Sequence, residues 1–160
     1  MTSKINNLID KLKIFAKNEG YSIVKTYQKK NISELDDDYI KKVTDANKFS
    51  ISPDITFIIE KNDNYYLIIV NVTDKNINLK MIGEFNVFCK VSLPKYAFLI
   101  TYGSYSGDIV PILSDEYLVD KLVSYSDTKF TIIAFNENDN IDKESIVPIH
   151  KRIQMYDKLS

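Results

Sequence analysis

Apolar residues recur at helical spacing at the start of the chain: Ile5, Leu8, Ile9, Leu12, Phe15 and Ala16. Ser3 is placed to cap that helix and Gly20 to end it, so the pattern predicts a helix over about 3–19. Tyr21 to Tyr27 then reads as a strand, and a polar stretch from Gln28 to Ser50 follows. Within it Tyr39, Ile40 and Val43 predict a short helix next to the acidic run Asp36-Asp37-Asp38. Adjacent aspartates point in different directions, so that run reads as a solvated helix start rather than a metal site.

Two apolar runs, Ile55 to Glu60 and Tyr65 to Val72, flank Lys61-Asn62-Asp63-Asn64. The short polar loop predicts an antiparallel hairpin. The second run is apolar on both faces, as a strand covered on both sides must be. Met81, Ile82, Phe85, Phe88 and Cys89 mark one side of a helix that has to stop before Pro94. Tyr96 to Tyr102 and Phe130 to Phe135 read as further strands. Between them Ser114-Asp115-Glu116 opens a helix carrying Leu118, Leu122 and Val123. A last short helix with Ile149, Ile153 and Tyr156 follows Pro148. No repeat or linker divides the chain, which predicts one domain over residues 1–160. The strand–helix–strand unit implies parallel pairing and the hairpin antiparallel pairing. The expected class is α/β, with a mixed central sheet flanked by helices.

Composition narrows the chemistry. Lys+Arg number 21 against Asp+Glu 22, for a net charge of -1, so broad sequence-blind coating of nucleic acid is not expected, although a local basic groove is compatible with that balance. Arg152 is the sole arginine, leaving phosphate contacts to lysines and backbone amides. Cys89 and His150 are each unique, which rules out an internal disulfide, a Cys/His zinc site and, for practical purposes, a Ser-His-Asp triad. The four glycines, at 20, 83, 103 and 107, form no phosphate loop. With no apolar leader and no run of membrane-spanning length, a cytoplasmic or otherwise intracellular soluble protein is expected, with no membrane partner. Lys25, Lys29 and Lys30 near Tyr21 and Tyr27 could touch a nucleic-acid backbone, as could His150-Lys151-Arg152. Solvated surface residues explain both groups more simply.

The element order and the pair Pro53-Asp54, followed seventeen residues after the aspartate by Asn71-Val72-Thr73, resemble the PD-(D/E)XK nuclease superfamily, the restriction-endonuclease-like fold. The resemblance covers roughly Ile5 to Phe135. It implies an aspartate at Asp54, an acid at position 71 and a lysine at position 73, gathered around Mg²⁺ or Mn²⁺ for phosphodiester hydrolysis. Hard oxygen ligands suit such an ion, and it activates both phosphate and water. Here Asn71 replaces the acid and Thr73 the lysine. Two substitutes are at hand. Lys75 continues the alternation 71, 73, 75 if the strand extends that far. Glu84 and Lys80, four residues apart on the following helix, could supply a migrated acid and amine. The candidate site is therefore Asp54, Glu84 and Lys75 or Lys80, with Asn71 as an auxiliary metal ligand. The implied partner is nucleic acid, DNA first, and a homodimer is compatible with the resemblance. The alternatives stand beside it: an inactive nuclease-fold module that binds nucleic acid or protein, with Lys80–Glu84 a surface ion pair and Asp54 ordinary turn chemistry.

Overall fold

The computed structural model describes residues 2–34, 51–115, 117–118 and 128–141. The expected helices around Tyr39–Val43 and after Pro148, and the body of the helix carrying Leu122 and Val123, lie outside the described residues.

The first helix, α1, spans Thr2–Asn18, so Ser3 sits inside its first turn rather than capping it. Its end is as the sequence indicates. Gly20 takes φ 90. Its N–H donates to the Lys17 carbonyl, and that of Tyr21 donates to Ala16 at 2.9 Å. This double bond arrangement satisfies the last helical carbonyls and favours glycine at the left-handed position. The chain then enters β1 (Ser22–Gln28).

The hairpin strands are β2 (Ile55–Lys61) and β3 (Asn64–Thr73). Asn62 and Asp63 join them with φ 53 and 64, the left-handed pair that suits a two-residue turn. Helix α2 (Leu79–Ser92) is capped by the Asn78 side chain, which accepts from the Met81 N–H. Leu93, at φ 50, ends it directly before Pro94. Strand β4 (Tyr96–Thr101) follows, then the four-residue helix α3 (Val110–Leu113) and β5 (Lys129–Ala134). Helix α3 is a single turn, too short to show a hydrophobic period in the sequence. Past it, Asp115 Oδ1 accepts from the N–H groups of Tyr117 and Leu118, the start expected there, but Leu118 is 41% exposed rather than core.

Among the described residues the strands form one mixed sheet in the order β1-β2-β3-β4-β5. Pairing is antiparallel from β1 to β3 and parallel from β3 to β5. One face packs on α1, where Leu8, Leu12 and Phe15 meet Phe57, Ile68 and Phe98. The other packs on α2, where Ile82, Phe85 and Cys89 meet Ile58, Ile69 and Leu99. Side chains alternate between faces along a strand, so β3 and β4 supply both cores and must be apolar throughout. Each of the large core side chains contributes about 1.5–3 kcal/mol on burial.

At the carboxyl ends of β3 and β4 the following loops continue the parallel ladder. Tyr102 N–H donates to Thr73, and Ile77 exchanges bonds with Ser104 and Ser106. Gly103 lies where these loops cross: a Cβ there would come within 3.0 Å of Asn76 Oδ1 and the Asp74 carbonyl. No helix among the described residues is long and apolar enough to cross a membrane.

Candidate functional site

Register decides which side chains meet. Ile55 pairs with Val70, which sets Asp54 across from Asn71. Asp54 and Asn71 bind each other's strand reciprocally. The Asp54 N–H donates to Asn71 Oδ1 at 3.1 Å, and the Val72 N–H donates to Asp54 Oδ2 at 2.7 Å. The Asp54 carbonyl accepts from Lys29 N–H at 2.9 Å, which ties β1 to the same point. This clasp carries the ladder one residue past the end of β2. It leaves Asp54 Oδ1 without a partner among the described residues.

Asp54, Asn71 and Thr73 fall on the α2 face of the sheet by alternation from Ile58 and Ile69. There they line a cleft of about 240 Å³, together with Glu84 of α2. Its apolar walls come from Met81, Phe88 and Leu99. The capped start of α2 orients the helix so that its second turn brings Glu84 to the cleft while Ile82 and Phe85 stay buried. Two carboxylates distant in sequence thus border one space.

The lysines behave otherwise. Strand β3 stops at Thr73, so Lys75 does not continue the alternation. Lys75 lies in the loop, its N–H on Thr73 Oγ1 and its carbonyl accepting from Thr101 Oγ1. Lys80 stands 3.9 Å from Glu84 in an exposed i,i+4 pair, with its side chain 83% accessible. Neither lysine lines the cleft. Among the described residues no group of three or more His, Cys, Asp or Glu is set to hold a metal ion. The donor set is two carboxylates, the Asn71 amide and the Thr73 hydroxyl. All are hard oxygen donors, which fits a Mg²⁺-like ion that keeps much of its water.

A second cavity, about 600 Å³, went unseen in the sequence. It opens at the carboxyl ends of β4 and β5 on the α1 side, bordered by Lys4, Tyr102, Asn136, Glu137 and Asp139. Crevices beyond the carboxyl ends of parallel strands are a general place for ligands, and that rule was the available signal. Lys4 is engaged here, 3.9 Å from Asp74 and 4.9 Å from the Tyr102 ring centroid. Burial first, then Glu137 and Asp74, raises the Tyr102 phenol above its ordinary range. Each space is bordered by two carboxylates, Glu137 and Asp139 in the larger and Asp54 and Glu84 in the smaller, but the larger also carries the Lys4 ammonium.

No protein-family model, no curated protein and no solved structure matches the chain.

Proposed function

We propose that the cleft between the β2–β3 hairpin and α2 is a Mg²⁺- or Mn²⁺-dependent phosphodiester hydrolase site for nucleic acid, with Asp54 and Glu84 as its carboxylate ligands. The observation that carries this reading is that both acids line one cleft, at the strand ends where the resemblance to PD-(D/E)XK nucleases puts the chemistry. When bound, the ion supplies Lewis-acid activation of the phosphodiester and of the attacking water. The chain does the positioning. Val72 N–H and Asn71 fix the Asp54 carboxylate and backbone, so Oδ1 is presented without rearrangement. Glu84 approaches from the helix, holding the ion or taking a proton from water. Thr73 offers a neutral hydroxyl where the PD-(D/E)XK nucleases that the hairpin resembles carry lysine, so the site works without that ammonium and slowly.

The test is cleavage of linear and branched DNA in Mn²⁺ by wild type, Asp54→Asn and Glu84→Gln. Loss in both variants is expected. Cleavage that survives in both, or in EDTA, rejects the site.

A second reading is a nucleic-acid- or protein-binding module without catalysis. It is favoured by the positions of Lys75 and Lys80, neither of which lines the cleft. Under it the Asp54–Asn71 clasp is purely structural, and metal titration gives no rise in melting temperature, whereas a ligand that binds the folded state must raise it.

A further inference from the structure

At the end of the sheet opposite the cleft, the α1 side carries three tyrosines, with Tyr21 in edge contact with the other two. Tyr21 meets Tyr66 at 5.7 Å and Tyr96 at 6.0 Å between ring centroids. Each ring is topped by a different ammonium. Lys61 lies 5.0 Å from the Tyr21 centroid, Lys95 5.6 Å from Tyr66 and Lys129 5.8 Å from Tyr96. These lysines are remote in sequence and come together through the sheet, with Tyr96 and Lys129 directly opposite each other on β4 and β5. Among the described residues no carboxylate forms an ion pair with any of the three. The hydrogen bond of Lys61 goes to the main-chain carbonyl of Glu19.

A chain of net charge -1 has acids enough to pair these cations, yet among the described residues these three are gathered without a carboxylate partner. Ring quadrupoles hold them in place without neutralising them. We infer that this Lys61–Lys95–Lys129 patch is a contact surface for the phosphate backbone of duplex DNA. Tyr21 and Tyr96 are buried and each of the three rings has an ammonium over it, so the patch presents point charges rather than an open row of ring faces on which unpaired bases could stack. Lysine binds phosphate as a point charge, which makes the contact blind to sequence. Membrane anchoring calls for buried apolar area beside the charge, which covered rings do not offer. The patch serves binding and does not depend on the hydrolytic reading of the cleft.

The experiment is fluorescence anisotropy of a labelled 25-base-pair duplex against salt, in EDTA so that cleavage plays no part. Each phosphate contact contributes about 0.9 to the slope of log K against log salt. The variant Lys61→Gln/Lys95→Gln/Lys129→Gln is expected to lower that slope by about 2–3, and Lys129→Gln alone, an exposed change, by about 0.9. The matching triple change to arginine is expected to keep the slope. A slope equal to wild type in Lys129→Gln and in the triple variant overturns the assignment. So does a wild-type protein that ignores duplex DNA, including one that binds vesicles of anionic lipid instead.

Discussion

Asp54 has two oxygens with different duties. Oδ2 takes the Val72 N–H at 2.7 Å, and Oδ1 has no hydrogen-bond partner among the described residues. Substitution separates the duties. Asp54→Ala removes the acceptor and leaves a partly buried N–H unpaired, a cost of about 1–3 kcal/mol. Asp54→Asn keeps an acceptor and is expected to lose about 1 kcal/mol or less, while abolishing any Mg²⁺-induced rise in melting temperature. Asn71→Asp is the converse change. It keeps the acceptor for Asp54 N–H and adds a second carboxylate beside the first. Like charges at close range lower stability without metal, and a divalent ion relieves them. Thermal melts with and without Mg²⁺ are expected to show a lower starting temperature and a larger metal-induced rise than wild type. Asp54 was legible in the sequence as a candidate acid. Its clasp with Asn71 was not, because it depends on register, which sets residues seventeen apart face to face.

At the level of elements, α2 holds an unexplained choice. Gly83 lies in its second turn, with no described atom beyond its neighbours and the local helix backbone within 4 Å of where a Cβ would stand, and no positive φ. Neither packing nor backbone conformation asks for glycine there. Gly83→Ala is therefore expected to stabilise the fold by about 0.8–1.0 kcal/mol. In a domain of this size that raises the melting temperature by about 2–4 °C, which calorimetry can read. Cleavage that falls while stability rises would mark the bare backbone beside Glu84 as a surface the substrate approaches. Helix and strand boundaries were mostly readable, because Gly20, Asn62-Asp63 and Pro94 are strong local signals. Two features were not. The end of β3 at Thr73 depends on loops crossing at Gly103, so Lys75 left the strand against the alternation. Helix α3 is a single turn.

For the whole molecule, the mixed sheet followed from the order of elements, but convergences across it did not. Lys61, Lys95 and Lys129 are separated in the chain by other elements, and only strand order brings them to one patch. The same cluster sets a pH limit. Burial, then Tyr21 and Glu19, pushes the Tyr96 phenol well above its ordinary value near 10. The unfolded chain then ionises first, so this contribution is intact below about pH 10 and is lost as pH climbs toward the folded value. Melting temperatures measured from about pH 9 to 12 are expected to fall above 10, and less steeply in Tyr96→Phe. Tyr102, shifted in the same direction, adds to the fall.

One phenol has a consequence for the protein's life in a crowded solution. The Tyr105 hydroxyl accepts from Ala134 N–H at 3.2 Å and donates to the Ile132 carbonyl at 3.3 Å. Phe135 N–H bonds inward to Thr101, so by alternation those two groups face outward from the last strand. They are the groups a stray strand would seize to extend the sheet into a fibre. A single side chain already occupies them, so β5 is closed to recruitment at its middle, and growth of the sheet from one molecule to the next is blocked there by a hydroxyl instead of a charge.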